Sequence, residues 1–204
     1  LEKDWYIFNT LGLSGTYTFN KNINNNNLLL IFDKIEIDYN DMMNFGTFKF
    51  VNDKKILEKK IKTLGADILE NEFTEDYVIK IFKTKKYENK TIVELLMNQK
   101  LFCGLGNYLK SEILYESKIS PHRLIKELND NDNKLLYKNI KKISNKFYKL
   151  GSPYKTEFES IEEYKDLKKN FEVYNKKKDK NDYIIKRETT KDKRTTYWVK
   201  ELQL

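Results

Sequence analysis

The sequence predicts an α+β protein in three successive parts: an incomplete antiparallel β-sheet, a set of packed helices, and a closing β-hairpin. Three observations carry that expectation. Apolar residues alternate with polar ones through roughly the first fifty positions, then recur every three to four positions from about Lys54. Alternation returns near the end, in Tyr183 to Ile185 and Thr195 to Val199. Gly, Asn and Asp clusters punctuate the alternating stretches, as turns between strands require.

Element by element, Trp5 to Phe8, Thr16 to Phe19, Leu28 to Phe32, Ile35 to Tyr39 and Thr47 to Val51 are β-branched or aromatic runs. Gly12, Gly15, the Asn24 to Asn27 tract and Asp38 to Asp41 separate them. Ile56, Ile61 and Leu64 then predict a short helix closed by Gly65. Thr74 and Asp76 open a second helix, carrying Tyr77, Val78 and Ile81. Thr91, with Glu94 three residues later, has the spacing of a capping box for a third, which buries Ile92, Leu95, Leu96 and Gln99. A fourth is expected from Asn107 to about Ser117 with Leu109, Ile113 and Leu114 inward, a fifth from Pro121, and a sixth over Leu135 to Leu150, ended by Gly151 and Pro153.

Composition excludes several function classes. The 204 residues hold 39 Lys+Arg against 31 Asp+Glu, a net charge of +8, yet only Arg123, Arg187 and Arg194 are arginines. Lysine and asparagine both rise under AT-rich coding, so basicity alone argues weakly for a polyanion. Its distribution argues more strongly: from Tyr164 to Leu204 there are 13 basic and 7 acidic residues, so this segment holds +6 of the +8. One cysteine, Cys103, excludes an internal disulfide and a cysteine-based zinc site within one chain. One histidine, His122, argues against a histidine-based metal centre, and its place after Pro121 suits a cap or surface residue. Cys103 itself reads as a small buried hydrophobe. Apolar stretches are too short for a bilayer, and no signal peptide is visible. An intracellular protein is expected, in a nucleus or in the cytoplasm of a bacterium or viral factory, and not a secreted one.

The stretch from Leu101 to Leu114, LFCGLGNYLKSEIL, is the most specific. Gly104 and Gly106 lie between two amphipathic helices, where the absence of Cβ permits a tight turn. The N–H groups opening the next helix, with Asn107 beside them, then face outward in a way that suits a phosphate. An ordinary helix–helix connection gives the same Gly-x-Gly spacing.

With Leu96-Met97-Asn98-Gln99 before it and Lys118-Ile119-Ser120-Pro121 after it, this stretch resembles the helix–two-turn–helix motif of the formamidopyrimidine-DNA glycosylase/endonuclease VIII family. It looks nearest to the endonuclease VIII-like branch. Leu11 to Gly15 is similar to the family's LGMTG segment, and Asp41-Met42-Met43-Asn44-Phe45-Gly46 stands where the family has D-x-R-R-F-G. Leu64-Gly65 with Phe73-Thr74 is similar to the entry into its helical domain. Arg194 through Gln203 resembles the close of its zinc finger. The resemblance spans nearly the whole chain. It implies a partial antiparallel β-sandwich in residues 1–53, a helix–two-turn–helix domain in 54–163, and a basic hairpin finger in 164–204.

Val199 and Leu202 stand where the finger's second cysteine pair would fall, and its first pair would fall around Lys178 to Asp182, again without cysteine. The resemblance is therefore to a zincless finger, held by packing, with Tyr183, Ile184, Tyr197 and Trp198 available. No metal and no cofactor are expected. Arg194 matches the fingertip arginine that grips phosphates, with Asn107, Gly104 and Gly106 completing the DNA-binding set; a solvated hairpin arginine is the other reading of Arg194. Leu13, Met43 and Phe45 match the side chains that fill the void left by a flipped base. Plain core positions in the sheet are the other reading of Met43 and Phe45. The resemblance places Glu112 at the junction with the N-terminal domain, helping to hold the active-site end, although a solvated helix glutamate has the same spacing.

The implied activity is that of a base-excision-repair glycosylase and AP lyase on damaged or abasic double-stranded DNA, acting as a monomer away from membranes. In the family an N-terminal proline amine attacks C1′ and forms a Schiff base, and β,δ-elimination follows. A glutamate and a lysine assist. Leu1 opens the chain mid-strand without Met, so these groups are expected before it, and Glu2 and Lys3 stand too near Leu11 to replace them. A catalytically inactive DNA-binding relative is the alternative. A ribosome- or RNA-associated helix–two-turn–helix protein is a third reading, opposed by the Arg194 hairpin and the two filler loops.

Overall fold

A computed structural model describes residues 5–11, 15–19, 27–151 and 169–204. The chain divides into two compact units, Leu1–Lys62 and Thr63–Leu204.

In the first, aromatic alternation builds two antiparallel sheets. Strand β1 (Tyr6–Thr10) pairs with β5 (Thr47–Val51), Tyr6 facing Val51 and Thr10 facing Thr47. Strand β4 (Glu36–Asn40) lies between β2 (Thr16–Phe19) and β3 (Leu28–Ile31). Tyr39 joins the sheets, its buried ring 5.2 Å from Tyr17 and edge-on to Phe48 at 4.7 Å. Helix α1 (Lys54–Ile61) follows, its Asp53 cap accepting from the Lys55 N–H. It ends before the Gly65 stop that the sequence suggested, because the Gly65 N–H is committed to the Gln99 carbonyl.

The second unit is helical around one core. Two short parallel strands, β6 (Ala66–Asp67) and β7 (Phe102–Cys103), tie its start to the chain just before the glycine loop. Helix α2 (Glu75–Phe82) has Thr74 as its cap, accepting from the Tyr77 N–H. Helix α3 (Ile92–Leu96) starts at Thr91, whose N–H and hydroxyl both donate to Glu94. Helices α4 (Asn107–Glu116) and α5 (Asp130–Gly151) complete the set. Phe73, Ile92, Leu96, Phe102, Ile113 and Leu136 are among the side chains fully enclosed between them.

Two expectations need correction here. No α-helix starts at Pro121; residues 125–127 make only a 3₁₀ turn. The adjoining backbone is used otherwise, with Thr91 bridged to Leu124 and the Ile92 N–H donating to the Arg123 carbonyl. Helix α5 begins at Asp130, five residues before the apolar pattern at Leu135. Asn129 and Asp132 start it, each side chain accepting the other's backbone N–H.

The hairpin pairs β8 (Lys186–Thr189) with β9 (Thr195–Trp198). Its first strand thus begins after Tyr183 to Ile185, because Ile184 is taken by a bridge to Lys178. Tyr183 and Ile184, expected to hold the hairpin, are instead 40% and 68% exposed. Tyr197 and Trp198 are buried as expected, and a small second core joins Tyr197 to Tyr115, Val173, Ile185 and Val199. Among the described residues no helix is long and apolar enough to cross a membrane.

Candidate nucleic-acid interface

The glycine loop is held from both sides. The Gln99 amide nitrogen donates to the Leu105 carbonyl at 2.8 Å, and its oxygen accepts from the Gly104 N–H at 3.0 Å. The Tyr77 hydroxyl donates to the Leu101 carbonyl at 2.8 Å. Gly104 has φ +86°, a conformation that any side chain would strain. Gly106 is different: as N-cap of α4 it has an ordinary extended φ of −105°, and a Cβ there would meet nothing within 4 Å. Space is therefore open in front of the α4 N-terminus, where the first N–H groups of a helix have no partner within it.

Helix α4 is enclosed from Leu109 to Tyr115. Its apolar side chains face the helical core, and its polar ones receive the C-terminal segment in successive layers. The Asn107 amide donates to the Thr195 carbonyl at 2.9 Å, while its Oδ1 is buried without a partner. Lys110 Nζ lies 2.6 Å from Asp192 Oδ2, with both side chains buried. Ser111 Oγ accepts from the Tyr197 N–H at 3.3 Å. Glu112 accepts from three consecutive backbone N–H groups, those of Glu172, Val173 and Tyr174, at 2.8–3.0 Å. The Tyr115 hydroxyl donates to Asp179 at 2.8 Å.

These contacts bring together Asn107 and the exposed Arg194, which directly precedes Thr195 at the hairpin tip. Burial raises the Glu112 pKa although its three N–H donors pull the other way. Burial lowers that of Lys110, against the attraction of Asp192. The structure thus puts Glu112 under the start of the C-terminal segment, away from solvent.

At the hairpin base, the residues where the resemblance expects cysteine pairs make closures of their own. Asp179 accepts from the Asn181 and Tyr183 N–H groups as well as from Tyr115. Burial alone would raise its pKa, but the Tyr115 hydroxyl and the two N–H groups outweigh that and hold it below the usual range. Val199 is wholly buried, with Leu202 packed on the same cluster. Gln203 accepts from the Val199 N–H and donates to the Ile119 carbonyl. Among the described residues no group of three His, Cys, Asp or Glu side chains could hold a metal ion.

In the β unit, the Asp41 carboxylate accepts from the Gly46 N–H at 2.6 Å and the Met43 N–H at 3.3 Å. Asn27 accepts from the Asp41 N–H and donates to Asn44. A Cβ on Gly46 would stand 1.9 Å from the Tyr39 hydroxyl, so the loop closes tightly over that ring. Met43 and Phe45 are 50% and 58% exposed, on the loop between β4 and β5. Leu13 lies outside the described residues.

Sequence reasoning did not single out Lys110, Asp192, Asp179 or the brace made by Gln99. A signal existed for the first: Lys110 sits three and four positions before the inward Ile113 and Leu114, where a lysine requires a buried partner.

The family model for the formamidopyrimidine-DNA glycosylase H2TH domain matches residues 64–155. The formamidopyrimidine-DNA glycosylase of Carboxydothermus hydrogenoformans is 35% identical over 116 residues, covering 55% of this chain and 39% of that protein. That of Mycoplasma genitalium is 27% identical over 198 residues, covering 92% of this chain and 68% of its own length. The chain therefore spans between about two fifths and two thirds of these relatives. The Lactococcus lactis enzyme in complex with abasic-site DNA superposes with a TM-score of 0.81 at 24% identity, over 98% of this chain and 76% of that one. Its complex with Fapy-dG DNA gives 0.81 at 24% identity, over 99% and 76%. These likenesses establish the fold.

Proposed function

From the premise that this chain belongs to the formamidopyrimidine-DNA glycosylase/endonuclease VIII family, we propose that it serves a base-excision-repair DNA glycosylase acting on damaged or abasic duplex DNA. The observation that carries this reading is the hydrogen bond from Asn107 to the Thr195 carbonyl. It ties the N-terminus of α4 to the backbone beside Arg194, and a helix N-terminus with an arginine beside it suits a DNA phosphate. The lysine-rich segment after Tyr164 adds non-specific attraction.

Met43 and Phe45 are read as void fillers, since exposed apolar side chains on a braced loop can replace the stacking lost when a base is flipped. Leu13 is assigned the same role from the resemblance alone. Within the family we read the chain as an endonuclease VIII-like member with a zincless finger, supported by Val199, Leu202 and the Asp179 closure. The AP lyase step follows the family's chemistry: an amine attacks C1′, the base leaves, and the resulting iminium acidifies the sugar for elimination. No residue from Leu1 to Leu204 is assigned as that amine.

Borohydride trapping of the full-length protein on abasic DNA tests the chemistry. A covalent adduct is expected. Tight binding without an adduct would identify a catalytically inactive relative. Arg194→Ala should weaken binding across sequences and reduce the salt slope by about one unit.

A further inference from the structure

A lysine with no solvent exposure is costly unless its charge is met, and apolar residues of similar size would often stabilise the same site as well. Lys110 is such a residue, in the middle of α4, and its Nζ reaches Asp192 at 2.6 Å. Asp192 is not simply a counter-ion. It lies within the five-residue turn that carries Arg194, and its other oxygen accepts from the Thr190 hydroxyl at 2.5 Å and the Arg194 N–H at 3.4 Å. Thr190 in turn meets Thr196 across the hairpin at 2.6 Å, and its N–H donates to the Arg194 carbonyl. Lys193, directly before Arg194, has φ +61°, a left-handed conformation that a lysine keeps only where its surroundings enforce it.

We propose that Lys110 and Asp192 form a buried latch that fixes the hairpin tip on α4, and that Lys110 is thereby a positioning residue for Arg194. The inference rests on the reading of Arg194 as a phosphate contact. Without the latch the hairpin can still fold, because its base is held by Glu112, Asp179 and the Val199 cluster. What it loses is one defined tip conformation. Arg194 must then be ordered when DNA binds, at a cost to affinity.

The test is a double-mutant cycle on the full-length protein, read by anisotropy with a duplex carrying a tetrahydrofuran abasic analogue. Lys110→Met and Arg194→Ala should each weaken binding by ~10-fold, the loss of one charge-assisted contact. The variant carrying both changes should bind no more weakly than Arg194→Ala alone. A second variant, Lys110→Met with Asp192→Asn, removes both buried charges. It should melt near the parent temperature yet still bind ~10-fold more weakly. If the losses from Lys110→Met and Arg194→Ala multiply, Lys110 does not act through Arg194 and the latch is overturned. Parent-like binding by Lys110→Met, with weakened binding by Arg194→Ala, overturns the latch and leaves the phosphate contact standing. Parent-like binding by Arg194→Ala overturns both. If neither Lys110 variant folds by circular dichroism, the pair serves folding rather than positioning, which also overturns the proposal.

Discussion

The Asp41–Gly46 loop and the polar face of α4 both present candidate DNA-contacting groups, and they are built in opposite ways. The loop is tied by the Asp41 carboxylate and the Asn27 amide, and it holds Met43 and Phe45 out at 50% and 58% exposure. On α4, by contrast, Lys110, Ser111 and Glu112 are buried, and they meet the segment that carries an exposed Arg194. The difference teaches what each task demands. A side chain proposed to enter a base stack needs apolar bulk in an exposed position. A cation meant to meet a phosphate gains from a backbone fixed in advance.

That contrast can be broken most severely at Glu112. Replacing it by Ala leaves three buried N–H groups without an acceptor, and a loss of about 3 kcal/mol or more is expected, measured by chemical denaturation. Gly46→Ala should do the corresponding damage to the loop. Its Cβ would meet the Tyr39 hydroxyl at 1.9 Å and the Thr10 carbonyl at 2.8 Å, and overpacking of this kind costs about 1–3 kcal/mol. Melting followed through a β-unit probe should register the loss.

A pH titration addresses the hairpin base alone. The Asp179 carboxyl is held below its ordinary range, so its contribution is present above about pH 4 and lost as pH falls through the folded value. The Tyr115 phenol is shifted upward, by burial first and by Asp179 next, so its contribution holds below about pH 10 and fades above. Melting curves of Asp179→Asn should therefore flatten at the acid end. An unchanged acid limb would remove Asp179 from the closure.

The smallest stability effects belong to the loop's exposed side chains. Met43→Ala and Phe45→Ala should each change stability by no more than about 0.5 kcal/mol while lowering affinity for abasic duplex. Met43→Arg sharpens the comparison further. An arginine there can hydrogen-bond the orphaned base, so opposite-base preference should appear where the methionine gives little.

Some of this was legible in the sequence and some was hidden by its own regularity. Thr74, and Thr91 with Glu94, announce helix starts because a cap is a local matter of one side chain and a backbone a few residues away. The missing helix at Pro121 and the late strand at Lys186 were not legible. In both places a distant partner claims the backbone: Thr91 bridges Leu124, and Lys178 bridges Ile184. The polar face of α4 was not legible for a different reason. Asn107, Lys110, Ser111 and Tyr115 recur at helical spacing, a pattern that local chemistry does not distinguish from the solvated side of an amphipathic helix. Each has its partner 64 to 88 residues away.

By itself the sequence determined the order of strand, helix and hairpin and the absence of cysteine from the hairpin, and it put Asn107, Arg194, Met43 and Phe45 forward as candidates. Periodicity, composition and short motifs are local properties, and local chemistry writes them into the chain. Only the tertiary structure decided that Lys110 is buried against Asp192, that Glu112 accepts three N–H groups, and that Met43 and Phe45 stand outside the sheet. Burial and long-range pairing depend on which surfaces meet. A lysine at position 110 has the same local chemistry in water as beneath a hairpin, and only the hairpin's arrival makes Asp192 its partner.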